Sequence, residues 1–168
     1  FTPVMLPFKP NGKPEHVKGF LAKFAKTAKN TAGFLNEVAQ LNIPMAGVDA
    51  SLVLVYRDEY TKTLGKARGD FHVLAVHEWL ETVPSDVWQS TSKKVGVSEP
   101  SAKTSDQNSA QPSAQPLALL SHCTEKTALP ASEKQWQGLF AKVNQPVDIV
   151  AVGCCGMAGT YGHEADQK

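Results

Sequence analysis

The chain has 168 residues, of which 42% are hydrophobic and 20% are charged, as is ordinary for a globular protein. Its 17 basic and 16 acidic residues leave a formal net charge of +1, which excludes a general basic surface for nucleic acid and an acidic tail. No apolar run approaches the roughly 20 residues that span a bilayer, and the first ten residues do not resemble a signal peptide. The chain starts without Met, so we expect it to be a piece of a longer polypeptide.

Residues 1–84 alternate between strand and helix patterns, which predicts an α/β unit with a parallel sheet. Strands are expected at residues 4–7 and 44–48, and helices at residues 15–41, 50–64 and 71–83. The first helix carries an apolar stripe opposite four lysines, Lys18, Lys23, Lys26 and Lys29, which we interpret as a solvated face. Asn30 and Gly33 are expected to loosen its middle.

Residues 85–116 have a different composition. From position 98 onward they are almost wholly Ser, Ala, Gln, Pro, Asp, Asn, Lys and Thr. Such a segment buries too little apolar surface to offset its ordering entropy. We therefore predict a flexible linker or surface insertion.

Residues 117–168 repeat the strand–helix–strand plan, with strands at 117–120 and 147–152 and a helix at 131–143. The fold class expected for the whole chain is therefore α/β, built from two strand–helix–strand repeats with short parallel sheets. Cys123 follows the first of these strands, and Cys154 and Cys155 follow the second. Open α/β sheets bind their ligands at such strand ends.

These three cysteines are the whole complement of the chain. An odd number with two adjacent members is a poor disulfide framework, so reduced thiols of a cytosolic protein are expected. The strand–helix–strand excursion between positions 123 and 154 predicts that the thiols converge. Clustered thiolates are ligands of iron–sulfur clusters, and Gly156 and Gly159 would let backbone N–H groups approach a cluster.

The segment Gly153-Cys154-Cys155-Gly156-Met157-Ala158-Gly159-Thr160-Tyr161-Gly162-His163-Glu164 resembles the CCG motif of cysteine-rich domains in heterodisulfide reductase, glycolate oxidase and anaerobic glycerol-3-phosphate dehydrogenase subunits. The chain is more similar to large bacterial fusion proteins, the D-2-hydroxyglutarate dehydrogenases, which join an FAD-linked oxidase domain to ferredoxin-like and CCG domains. Residues 121–130, Asn11-Gly12-Lys13 and Tyr56-Arg57-Asp58-Glu59-Tyr60 also resemble segments of these proteins.

The resemblance implies an electron relay at the C-terminal end of such an enzyme. FAD in an upstream domain would oxidise a D-2-hydroxy acid, and iron–sulfur centres would pass the electrons to a quinone or another acceptor. Cys123, Cys154 and Cys155 match cluster-ligand positions of the second CCG repeat, for a 4Fe-4S cluster whose fourth thiolate is missing from this chain. The partners are then the FAD-linked oxidase and ferredoxin-like domains, and the location cytoplasmic or peripheral to the inner membrane. The fragment alone is expected to be inactive.

The first half, residues 1–84, resembles a CCG repeat without thiols. Residues 8–12 stand where related proteins have the Cys-Cys-Gly turn, and Leu52 or its neighbours stand where they have another cysteine. No cysteine precedes position 123. A structural or docking role is therefore expected, with Arg57, Asp58 and Glu59 as candidate contacts to the flavin domain or as simple surface charge.

Several alternatives remain open from the residues alone. His122 or His163 could complete a zinc site with the three thiols. Either histidine could instead donate a hydrogen bond to a ligand or handle a proton. Like Glu164, it could also simply stabilise a turn. The thiols could also belong to a metal-free docking module of residues 117–168. A cysteine hydrolase using Cys123 and His163 would leave the adjacent cysteines unexplained.

Overall fold

The structure is a computed structural model that describes residues 1–92 and 115–153. The chain divides into two compact units. Among the described residues, the first comprises Phe1–Val76 with Gly153, and the second comprises residues 77–92 and 115–152. Each unit contains a parallel sheet of two short strands with helices around it. The predicted α/β class is thereby confirmed.

The first unit begins with an extended segment and continues through helices and its sheet. In chain order its elements are α1 (Lys13–Val17), α2 (Leu21–Ala39), β1 (Met45–Gly47), α3 (Ala50–Leu54), a π-helical turn (Val55–Glu59), α4 (Tyr60–Leu64), a 3-10 turn (Gly65–Arg68) and β2 (Val73–Ala75). Strand β1 pairs with β2 in parallel, with Met45 opposite Val73 and Gly47 opposite Ala75.

The core of this unit forms where one face of α2 meets the helices that follow β1. Phe24, Ala28 and Leu35 on α2 are buried, as are Tyr60 and Phe71. The rings of Phe24 and Tyr60 meet edge to face at 5.9 Å, the geometry that aromatic quadrupoles favour. Burial of each large side chain contributes roughly 2–3 kcal/mol to folding.

The predicted helix at residues 15–41 is in fact two helices. Gly19 has a φ of +77°, a left-handed conformation that interrupts a right-handed helix. The expectation that Asn30 and Gly33 loosen the middle was wrong, because α2 runs through both. The apolar stripe is buried only from Phe24 onward, whereas Phe20 and Leu21 are both 59% exposed.

Residues 50–64 are helical throughout, as predicted, and the helical segment is capped by Gly65. The prediction of a helix at residues 71–83 was wrong in its first part, because Val73–Ala75 is strand β2. A three-residue strand carries too little periodicity to reveal itself, and pairing with β1 decides its conformation. Residues 4–7, predicted as a strand, form none.

The second unit contains the other sheet. Its elements are α5 (Val76–Glu81, which starts at the last residue of the first unit), α6 (Ser85–Ser92), β3 (Leu117–Leu119), α7 (Cys123–Ala128), α8 (Ser132–Ala141) and β4 (Val147–Ile149). The predicted helix and both predicted strands are present, with shorter bounds. Helix α6 falls within the predicted linker at 85–116.

Among the described residues, the helices include none with the length and apolar character needed to cross a membrane.

Candidate functional site

The carboxyl ends of β3 and β4 lie side by side. Leu117 pairs with Val147 and Leu119 with Ile149 in parallel register, and the N–H of Val150 donates to the carbonyl oxygen of Leu119 at 3.0 Å. Cys123 lies four residues after Leu119, and Gly153 lies four residues after Ile149. The chain therefore leaves the same edge of the sheet after Leu119 and after Ile149.

Cys123 is the first residue of α7 and is an exposed, free cysteine. His122 caps this helix, because its Nδ1 accepts a hydrogen bond of 3.2 Å from the N–H of Thr124. At the next turn the hydroxyl of Thr127 donates to the carbonyl oxygen of Cys123 at 2.9 Å. The thiol is thus accessible at the beginning of a short, capped helix.

The capping contact bears on His122 as a candidate metal ligand. An imidazole nitrogen that accepts an N–H is unprotonated, so in the neutral ring the proton sits on Nε2. Ligation through Nε2 would require that proton to leave or the cap to be given up. The structure therefore gives His122 a local role as the helix cap.

The remaining predicted site residues follow Gly153, the last described residue. Cys154, Cys155, Gly156, Gly159, His163 and Glu164 all lie outside the described residues. Within residues 1–92 and 115–153, no group of three or more His, Cys, Asp or Glu side chains is arranged to hold a metal ion.

Sequence reasoning missed two residues next to this site, His77 and Glu125. His77 is 1% exposed, and its Nδ1 lies 3.4 Å from Oε1 of Glu125 on α7. The same oxygen accepts a hydrogen bond of 3.1 Å from Nε1 of Trp136 on α8. A lone histidine within an apolar pattern carries no signal for such a contact, since Glu125 is 48 positions away.

The segments of the first unit that resemble a CCG repeat without thiols line one cavity. Residues 8–12 and Leu52 border a space of about 630 Å³, together with the side chains of Phe34, Leu35 and Tyr56. The nitrogen of Lys9 lies 5.2 Å from the centre of the Phe34 ring. The two segments that the resemblance pairs are thus brought together, around a largely apolar space.

Two of the charged residues at positions 57–59, Arg57 and Glu59, have partners within the same unit. Arg57 donates from Nε and Nη2 to the carbonyl oxygen of Val73, at 3.0 and 2.8 Å. Glu59 lies 3.2 Å from Nε2 of His16 and 3.7 Å from the nitrogen of Lys62. Arg57 therefore ties the π-helical turn to β2.

Four groups of the first unit have shifted pKa values: burial raises that of Tyr56 and lowers that of Arg68, and Tyr60 and Asp49 are shifted as follows. Burial raises the pKa of the Tyr60 hydroxyl well above its usual range, and the neighbouring Tyr56 adds to the effect. Burial alone would also raise the pKa of Asp49. Hydrogen bonds from the Ser51 side chain and from backbone N–H groups outweigh it and hold the pKa of this carboxyl below its usual value.

Comparison with known proteins locates the chain within longer ones. It is 49% identical to the D-2-hydroxyglutarate dehydrogenase of Pantoea ananatis, 50% to that of Escherichia coli and 47% to that of Haemophilus influenzae. The matches cover 98–100% of this chain. The chain is homologous to a segment of these dehydrogenases.

The homology confirms the resemblance to D-2-hydroxyglutarate dehydrogenases. The chain spans only 14–15% of the length of the D-2-hydroxyglutarate dehydrogenases it matches. No protein-family model matches the chain. No solved structure matches it significantly.

Proposed function

We propose that this chain is an electron-transfer segment of an FAD-linked dehydrogenase that oxidises a D-2-hydroxy acid such as D-2-hydroxyglutarate. In this proposal Cys123, Cys154 and Cys155 hold an iron–sulfur cluster, with a fourth ligand from outside these three thiols. The names of the relatives support the substrate class, and the homology extends over almost the whole chain.

The observation that carries the proposal is the register of β3 and β4. Leu119 and Ile149 are paired, Cys123 follows the first of them by four positions in the sequence, and Cys154 follows the second by five. Ligand sites of parallel sheets lie at this edge. The exposed thiol of Cys123 leaves room for a metal.

The donor set suits iron–sulfur chemistry. Thiolates are the usual protein ligands of such clusters, and three of them would supply most of a four-thiolate site. A bound cluster would accept and release single electrons, which allows it to follow a two-electron flavin oxidation. The protein residues would set the potential through hydrogen bonds and through exclusion of water.

The test is metal and sulfide analysis with EPR on the full-length polypeptide, purified and reconstituted anaerobically. We expect iron and acid-labile sulfide in comparable amounts, a brown colour and a reduced-state EPR signal. The Cys154→Ser variant should lose the signal of this centre, whereas the control Thr61→Ser in the first unit should retain it.

Other centres of a full-length polypeptide could also give EPR signals, so the difference between wild type and Cys154→Ser is the decisive quantity. Identical iron content and spectra in the two proteins would sink the proposal. A stoichiometric zinc ion that depends on Cys154 would replace the cluster by a zinc site.

A further inference from the structure

Glu125 links the short helix α7 to two ring side chains of the same unit. Its Oε1 atom accepts a hydrogen bond of 3.1 Å from Nε1 of Trp136 and lies 3.4 Å from Nδ1 of His77. The rings of His77 and Trp136 have their centres 5.4 Å apart. We call His77, Glu125 and Trp136 the α7 anchor.

The anchor is held away from water. The Glu125 side chain is 12% exposed and that of His77 is 2% exposed. A carboxylate in such surroundings needs partners, and both partners face the same oxygen. Loss of either would leave a poorly solvated charge, so the anchor resists displacement of Glu125.

The second ring nitrogen of His77 indicates why a histidine stands here. Its Nε2 is buried and finds no hydrogen-bond partner among residues 1–92 and 115–153. Because a carboxylate only accepts, the proton belongs on Nδ1, facing Glu125. Burial of an unpaired nitrogen costs free energy, and an apolar ring at this position would avoid that cost. Because a histidine is present instead, we infer that its contact with Glu125 offsets the cost.

Glu125 lies only two residues beyond Cys123, in a helix of six residues. The carbonyl oxygen of Glu125 accepts the N–H of Leu129 at 2.7 Å, and that of His122 accepts the N–H of Lys126 at 2.9 Å. Together with the bond from the Thr127 hydroxyl to the carbonyl oxygen of Cys123, these bonds hold Cys123 and Glu125 in the same short helix.

We propose that His77 and Glu125 are positioning residues for the site that contains Cys123. By holding α7 they keep the Cys123 sulfur in one place at the edge of the second sheet, where the cluster ligands meet. The inference rests on the proposed function for the identity of the metal. The two residues act through α7, at a distance from the metal.

The first test uses the full-length polypeptide, loaded with iron and sulfide under anaerobic conditions. With Glu125→Ala we expect iron to be lost to a chelator about tenfold faster than from the wild type, with a broadened EPR signal and a shifted midpoint potential. Glu125→Gln can still accept from Trp136, so its effect should be smaller.

Two variants with the same substitution test whether the effect depends on the position of the histidine that is replaced. His77→Phe should accelerate iron loss, whereas His72→Phe changes an exposed histidine of the first unit and should leave the rate and spectrum unchanged. Wild-type spectra, potential and iron retention in both Glu125→Ala and His77→Phe would overturn the proposal.

A second measurement needs no iron. In the iron-free polypeptide, hydrogen exchange at the amides of Lys126 and Leu129 reports the opening of α7. Glu125→Ala should accelerate both several-fold, and unchanged exchange would overturn the anchor itself. If the wild type binds no iron while the exchange rates rise as expected, the proposed function fails and the anchoring of α7 by His77 and Glu125 stands.

Discussion

The hydroxyl of Tyr60 donates a hydrogen bond of 2.9 Å to the carbonyl oxygen of Asn11, which precedes it by 49 positions. Tyr60 lies at the end of the π-helical turn, and Asn11 belongs to the extended segment that borders the cavity. Thr31 of α2 reinforces the same segment, since its hydroxyl donates to the carbonyl oxygen of Pro10 at 2.6 Å. Two side chains thus fix the extended segment that borders the cavity.

Replacement of Tyr60 by Phe should destabilise the first unit by about 1–2 kcal/mol, because it leaves the carbonyl of Asn11 without its donor while keeping the ring. Urea denaturation of the chain measures the change. Tyr56→Phe is the control, since within the described residues no hydrogen bond from its hydroxyl is present. Equal losses in the two variants would contradict the role of the Tyr60 bond.

Gly69 and Gly33 offer a matched pair of glycine substitutions. A methyl group at Gly69 would lie 2.3 Å from Oδ1 of Asn36, and the φ of Gly69 is +77°. Asn36 also donates to the carbonyl oxygen of Arg68 and accepts from the N–H of Asp70, so it cannot move freely. We expect Gly69→Ala to destabilise the chain by about 1–3 kcal/mol.

Gly33→Ala is the opposite case. Gly33 lies in α2, and a methyl group there would meet nothing within 4 Å. Alanine should therefore stabilise the helix by roughly 0.5–1 kcal/mol. The urea midpoints of Gly69→Ala and Gly33→Ala should move in opposite directions. If both midpoints moved in the same direction, the surroundings described for these two glycines would be wrong.

Asp49 predicts a specific pH dependence. It caps α3, where its side chain accepts from the N–H of Leu52, and its pKa in the folded protein is lowered. The lowered pKa means that the ionised Asp49 stabilises the folded protein. This stabilisation is fully present at pH values above the pKa of Asp49 in the unfolded chain, and it is lost as the pH falls through the pKa of Asp49 in the folded protein. Asp49→Ala should therefore cost about 1 kcal/mol at pH 7 and progressively less as the pH falls below the usual pKa of an aspartate.

The control for this pH dependence is Asp58→Ala, which removes an exposed carboxylate of the same unit. Stability against urea, measured for both variants from pH 3 to pH 7, should converge with the wild type on acidification only for Asp49→Ala. A constant difference at all pH values would mean that the carboxylate charge of Asp49 does not contribute.

The fold was predictable from sequence where local signals and tertiary packing agree. The helix from Ala50 to Leu64 has a capping Asp49 and a terminating Gly65, and it appears as expected. Strand β2 could not be found, because three residues are too few to establish a period and only β1 determines their conformation. The break at Gly19 was equally hidden, since a glycine in a helical pattern indicates a break only when its φ is known.

The candidate site was predictable to a similar degree. Thiols at two strand ends drew attention to Cys123, and the parallel register of β3 and β4 follows from the predicted strand–helix–strand plan. The contact between His77 and Glu125 could not be anticipated, because it depends on tertiary packing of residues 48 positions apart.

The exposure of Cys123 makes one further prediction, on its reactivity. In the iron-free polypeptide its thiol is accessible, so iodoacetamide should alkylate it readily. A bound cluster would engage the thiolate and should slow this alkylation by about tenfold or more. Mass spectrometry of peptides that contain Cys123, taken before and after anaerobic reconstitution, measures the protection. Cys154→Ser should abolish it if both sulfur atoms hold the same cluster, whereas protection that survives in this variant would assign Cys123 to a separate site.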